Sequence, residues 1–529
     1  MTEKNKKLSI YILLIAVAAL CIFFVREFIF WTSDKTENES VLSQEEISDT
    51  TDEQPPADLN PNENVSNNTN ESEMIHDEEA VREVLSALSK RDIRVLLYDT
   101  NYSSVYHEII KITSDVDFTI QTKNSIKEYS AGDVVTLTSG TYENDYTVFV
   151  KPTDNTGKIE LLSVTRAQGI PQYSGFFEIT QKEKGLCIVN EVDIETYLYS
   201  VVPSEMPSYY PLEALKAQAI SARTYAYERM LHSDLKDFNA DVSDSSNHQV
   251  YNNIEWQETT NRAVDETKGM FMFYGDTLAK TYYYSTSCGI GADEEVWSMS
   301  NISYLNNSDI SVSGYRQLAV EAGNIQGNSD LLQNSMNYSD ETVFREWIEL
   351  SSLETDSFEK NENYYRWNYT VTVNPDVIYD RIKDRKNNGD GSITCTKDTF
   401  VNPGNITNIE VIKRADSGYA MTLSIEGENA SYVINGQNNI RYILCNSLSS
   451  VVTNNGSLAK CEKLIPSAFF VVTNTMENGI VLEYTLTGGG HGHGVGMSQN
   501  GAKNMADMGM SYNDILDFFY QGTMLIEVV

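Results

Sequence analysis

Positive charge is what this sequence most lacks: 39 lysines and arginines stand against 76 aspartates and glutamates, a formal net charge of −37 over 529 residues. A phosphate backbone is bound through cationic surface, so this balance excludes a general nucleic-acid binder, and it argues equally against broad adhesion to anionic wall polymers or lipid. Any site for an anionic ligand must supply its own local cations. Cysteine is sparse too. The six cysteines are too few and too scattered for a disulfide framework; Cys21 lies in an apolar run, and spacing does not say which of Cys187, Cys288, Cys395, Cys445 and Cys461 pair, if any. There is no Gly-x-Ser-x-Gly elbow, and the six histidines lie far from any recognisable serine motif. The glycine-rich run near the C-terminus matches neither the phosphate-loop nor the dinucleotide fingerprint, and no internal repeat is evident.

What is present begins with an apolar run, Leu8 to Val25, 18 residues without a charge, preceded by Lys4, Lys6 and Lys7. Its length suits one membrane-crossing helix, and its basic flank predicts a cytoplasmic N-terminus with the rest of the chain extracellular. No small-x-small cleavage site follows, so an uncleaved anchor over 1–31 is expected rather than a signal peptide. Residues 32–76 are dominated by Asp, Glu, Asn, Ser, Thr and Pro and cannot bury enough apolar area to offset the entropy of ordering, which predicts a disordered acidic tether. The folded region is expected over 77–529, opening on a short helix at Asp77–Ser89. Short β-branched and aromatic runs then predict a β-rich part over 93–176, separable or not, and the Asn/Ser-rich stretch near 303–342 reads as a surface excursion. The fold class is therefore mixed α/β, a sheet-rich unit around a central helix.

That helix follows Tyr197-Leu-Tyr-Ser-Val-Val-Pro-Ser-Glu-Met-Pro207. Pro203 and Pro207 predict an irregular loop with Glu205 on its bend, and Pro211 suits the first turn of a helix running past Tyr225. Leu212, Leu215, Ala219, Ala222 and Ala226 form one face of mostly small side chains; Lys216, Ile220, Arg223 and Tyr227 form another. A ligand carrying negative charge or many hydroxyls fits along the second stripe. On residue types alone the same pattern also describes a surface loop and a solvated helix face.

The segments Val201-Val-Pro-Ser-Glu-Met-Pro207, Glu213-Ala-Leu-Lys-Ala-Gln-Ala219 and Ala222-Arg-Thr-Tyr225 resemble the signature of the stage II sporulation protein D family, which includes proteins described as amidase enhancers. Gln249 to Gly289 and Gly492-His-Gly-Val-Gly-Met-Ser-Gln499 extend the resemblance. It implies a lytic transglycosylase acting on peptidoglycan glycan strands, or an enhancer that stimulates a peptidoglycan amidase without cutting glycan itself. Glu205 is implied as the catalytic acid, and Lys216, Arg223, Tyr284, His493 and Gln499 as substrate-binding residues. No cofactor is required by it. Family members commonly carry a cysteine before Gln-Val-Tyr, where this chain has His248; with Cys288 it offers nitrogen and thiolate ligands for zinc, short of a full set unless Asp241 or Asp244 folds back. No second carboxylate stands out from the acidic background to pair with Glu205, as a glycoside hydrolase normally requires. Ser498 and Ser511 read as N-caps of two C-terminal helices.

Overall fold

The computed structural model describes Ser86 and residues 91–528, apart from 167, 254, 298–301, 306–308, 316–336, 388–391 and 462. The residues expected to form the anchor, the tether and, apart from Ser86, the first short helix lie outside the described residues. Among the described residues no helix is long and apolar enough to cross a membrane.

The described chain is mixed α/β and rich in sheet. A seven-stranded sheet runs in the order Val242–Ser243, Ile93–Leu97, Gly185–Val192, Phe176–Lys182, Thr147–Pro152, Phe118–Gln121 and Ile126–Tyr129, antiparallel except where Ile93–Leu97 lies parallel to Val242–Ser243. Strands from both sides of residue 176 thus share one sheet. Phe176–Lys182 alternates buried and half-buried residues, as a strand with one face on the core does, whereas the neighbouring Gly185–Val192 is buried almost throughout. A smaller sheet of Val135–Thr138, Ile109–Ser114, Ile159–Leu161 and Gln172–Tyr173 completes the N-terminal β part. Two further sheets, of five and four strands, are built from residues between Trp367 and Gly488.

The middle and the end of the chain are woven together. Met270–Tyr274 makes a hairpin with Thr277–Leu278 and pairs on its other edge with Met524–Glu527. Tyr283–Tyr284 lies parallel to Met497–Ser498. Beyond this dipeptide the chain bonds across to the glycine-rich loop, Thr286 bridging His491. Ser498 caps the helix Gln499–Asp507 and Ser511 the helix Tyr512–Phe519, as their spacing predicts.

The central helix, Leu212–Leu231, is buried on nearly every side from Ala214 to Tyr227. Its alanines let neighbours approach closely, and the stripe expected to face a ligand packs instead against the helix Glu258–Glu266.

Candidate functional site

Glu205 is the last residue of a helix, Ile194–Glu205, not part of an irregular loop. The helix starts where Asp193 accepts the backbone N–H groups of Glu195 and Thr196 at 3.1 and 3.0 Å. Pro203 lies inside the helix and removes one N–H donor from its last turn, where the Ser204 hydroxyl donates to the Ser200 carbonyl at 2.6 Å. Pro207 then forces Met206 into an extended conformation and ends the helix, which fixes Glu205 at its tip.

The Glu205 side chain points inward and is 2% exposed. Its Oε1 accepts the Val250 N–H at 2.6 Å, while Oε2 is buried with no hydrogen-bond partner. Above it, Gln249 accepts the Tyr197 hydroxyl at 3.2 Å through Oε1 and donates through Nε2 to the Ala222 carbonyl and the Tyr283 hydroxyl. The Tyr283 oxygen therefore accepts from Gln249 and keeps its own proton, which favours an ionised carboxyl nearby without closing a hydrogen bond to it. Burial outweighs this: it pushes the Glu205 carboxyl up to about 8, against smaller downward pulls from the Val250 N–H and Tyr283. No cation contributes. The group is a neutral acid at pH 7 with one oxygen fixed and one unclaimed.

The C-terminal motif reaches this helix from behind. Gln499 Nε2 donates to the Glu205 backbone carbonyl at 3.0 Å, and Asn500 joins the Tyr210 hydroxyl to Thr286 Oγ1. The glycine-rich loop lies flush against Tyr282–Ser287 because its glycines take a left-handed backbone: Gly496 has φ +78°, and a Cβ there would collide with the Tyr282 carbonyl. Three of the residues expected to bind substrate, Tyr284, His493 and Gln499, are thereby buried. Tyr284 and Gln499 are internal, and His493 packs between Tyr284 and Trp297 with ring centroids at 5.7 and 4.9 Å. Burial, helped by Arg441, drives the His493 imidazole down to about 3, and its Nδ1 accepts the Val495 N–H, so it is neutral.

The two cations are also corrected. Arg223 is fully buried and bidentate on Glu195, at 2.9 and 2.7 Å, and its guanidinium also donates to the Val264 carbonyl. Lys216 bridges Glu213 and Glu266 at 3.0 and 2.8 Å. Both hold the central helix to its neighbours and neither is available to a ligand.

His248 and Cys288 do not form a zinc pair. His248 bonds Asp234 through Nε2 at 3.2 Å and Ser243 through Nδ1 at 3.0 Å, whereas the buried Cys288 thiol faces the Ile290 carbonyl. Asp241 is held by Arg91 and the Arg94 N–H, and Asp244 by Arg166. Among the described residues no group of three or more His, Cys, Asp or Glu could hold a metal.

Sequence reasoning missed a second buried acid. Glu359 Oε1 accepts the Ser287 N–H at 2.9 Å and the Ser498 hydroxyl at 2.7 Å, and its Oε2 accepts the Ser287 hydroxyl. Burial pushes this carboxyl up to about 7. A cavity of about 570 Å³, lined by Lys360, Arg366, Trp367, Asn454 and Thr487 among others, includes none of the predicted site residues.

Residues 182–274, which contain Glu205, Gln249 and Val250, match the family described as Stage II sporulation protein, and residues 292–496 match a domain of unknown function. The Amidase enhancer of Bacillus subtilis (strain 168) is 28% identical over 333 residues, 62% of this chain and 40% of that protein. Stage II sporulation protein D of the same organism is 25% identical over 353 residues, 64% of this chain and 76% of that protein. An uncharacterized protein of Brachyspira hyodysenteriae is 26% identical over 362 residues, 68% of this chain and 73% of that one. The chain thus spans less than half the length of the Amidase enhancer it matches.

Proposed function

From this chain's place in the stage II sporulation protein D family, we propose that it is a lytic transglycosylase that cuts peptidoglycan glycan strands bared of their stem peptides, with Glu205 as the acid. The observation that carries this reading is the state of that side chain: a carboxyl raised to about 8, fixed at Oε1 by Val250 and unclaimed at Oε2. The reaction needs one proton donor. Glu205 protonates the glycosidic oxygen as the C1–O bond breaks, the C6 hydroxyl of the same muramyl sugar closes on C1, and its proton returns to the carboxylate. A 1,6-anhydro end results. No water is activated, so one glutamate suffices where a hydrolase normally uses two carboxylates.

At 2% exposure the carboxyl meets a glycan only when the Gln249–Asn252 segment, which bonds over it, shifts. In this reading Leu8–Val25 anchors the chain in the cell membrane with the folded part outside, and an amidase that strips stem peptides is the natural partner. A second reading, a non-catalytic enhancer of that amidase, is favoured by the same closure of Glu205 and by the name of the Amidase enhancer relative.

Mass spectrometry of bared glycan strands incubated with the protein and with Glu205→Gln separates the two. Transglycosylation predicts anhydro ends from the parent, reduced about 100-fold or more in the variant. Equal product from both removes Glu205 from the chemistry. No product from either, with amidase turnover stimulated equally by both, leaves the enhancer.

A further inference from the structure

Cys445 and Cys461 take no part in the chemistry assigned to Glu205, yet their sulfurs are 3.1 Å apart and both side chains are buried. That separation is about 1 Å longer than a disulfide bond and is closed by small side-chain rotations. Cys445 follows the helix Gln437–Leu444, and Cys461 follows the edge strand Leu458–Lys460. The backbone on the helix side is pinned: the Tyr484 hydroxyl donates to the Leu444 carbonyl at 2.7 Å, and the Tyr369 hydroxyl exchanges hydrogen bonds with the backbone of Asn446. The sulfurs are held in register by the fold around them.

What lies beyond Cys461 gives the contact its consequence. Arg441, on the same helix, grips the Ile465 and Pro466 carbonyls at 2.8 Å each. The Pro466 carbonyl also accepts the Gly492 N–H, and the Ser467 hydroxyl donates to the Gly489 carbonyl at 2.6 Å. Cys461 and residues 463–467 are therefore a strap under the glycine-rich loop, and that loop leads through Gln499 to the Glu205 carbonyl.

We propose that Cys445 and Cys461 are a dithiol that accepts a disulfide-class oxidant and becomes a cross-link fastening this strap to the helix Gln437–Leu444. The Cys445 thiolate attacks one sulfur of the oxidant and releases one thiol; the Cys461 thiolate then attacks the Cys445 sulfur of the mixed disulfide and releases the second. The protein loses two electrons and two protons, and the oxidant leaves as two thiols. The contact with the Cys461 thiol holds the Cys445 thiol below its usual range against the opposing effect of burial, with Arg381, Tyr369 and Arg441 assisting, which suits Cys445 to the first attack. The loop closed is 16 residues long, enough to restrict the unfolded chain.

The test equilibrates the protein with oxidised glutathione, in mild denaturant below the unfolding transition so that the buried sulfurs are reached. Remaining thiols are blocked and peptides are mapped by mass spectrometry with and without reduction. The proposal predicts one linked peptide pair, Cys445 with Cys461, lighter by two hydrogen atoms and separated by reduction, with Cys187 and Cys288 alkylated. Oxidation should raise the melting temperature by about 3–5 °C, a gain lost in Cys461→Ser and kept in Cys187→Ser. Cys445 and Cys461 both alkylated after oxidant treatment, each carrying glutathione separately, or either one bridged to a different cysteine, overturns it. The mapping on the unaltered chain decides the matter even if Cys461→Ser does not fold.

Discussion

Glu205 and Glu359 are both glutamates sealed inside the same chain, and burial is the largest cause raising each, to about 8 and about 7. They differ in what holds them. Glu359 takes three donors from two serines and has both oxygens occupied, so it acts as a clamp joining the Ser287–Gly289 turn to the N-cap of the helix Gln499–Asp507. Glu205 takes one donor and keeps an oxygen without a partner. Burial is the largest influence on whether each carboxyl keeps its proton at neutral pH, and the donors around it pull the other way and occupy its oxygens. Glu359 spends both oxygens on the fold, and Glu205 withholds one.

The contrast is broken most forcefully by removing each acid. Glu359→Ala leaves the Ser287 N–H and two hydroxyls without their acceptor and should cost about 3 kcal/mol or more in denaturant unfolding. Glu205→Ala strands only the Val250 N–H and should cost clearly less. If the two lose the same stability, the distinction between clamp and donor fails.

The pH dependence of stability sharpens it. The folded state keeps the Glu205 proton up to about 8, while an unfolded glutamate releases it near 4.5. The folded state thus binds more protons between those values, and its stability falls as pH rises through that window. Glu205→Gln removes this contribution, so its unfolding free energy should gain on the parent by about 3–4 kcal/mol between pH 5 and 8 and then level off. A constant difference across the window contradicts a raised Glu205.

A smaller effect is expected at Gln499. Gln499→Ala deletes the hydrogen bond to the Glu205 carbonyl and should cost about 1 kcal/mol. With the helix tip less firmly held, product formation should drop while glycan binding stays unchanged. The smallest effect is at Tyr283. Tyr283→Phe removes a group that favours the ionised carboxyl, so the alkaline fall in activity should move upward by a fraction of a pH unit. Movement downward means the hydroxyl acts otherwise.

Features were legible in sequence where a local pattern contained them. Glu205 stood out within its Pro-Ser-Glu-Met-Pro setting, and the caps at Ser498 and Ser511 followed from spacing alone. What was not legible depended on distant partners. Arg223 resembled a ligand cation because its carboxylate, Glu195, sits 28 residues upstream on another helix. Lys216 misled in the same way, since Glu266 meets it only after the chain turns back. Glu359 lies in an unremarkable stretch whose serine partners are 72 and 139 residues away. Pro203 and Pro207 together point to a loop, yet the helix continues through Pro203 despite the lost donor and ends only before Pro207. Burial of Tyr284 and His493 came from the close seating of the glycine-rich loop, which no local periodicity encodes.

The central claim is that Glu205 is a protonated acid at neutral pH. Infrared difference spectroscopy between the parent and Glu205→Gln reads it directly, because the subtraction cancels Glu359 and isolates one carboxyl group. The account predicts a protonated carboxyl band at pH 7, present in the parent and missing from the variant, that gives way to the carboxylate band as pH rises through about 8. A carboxylate band already complete at pH 6 would contradict it.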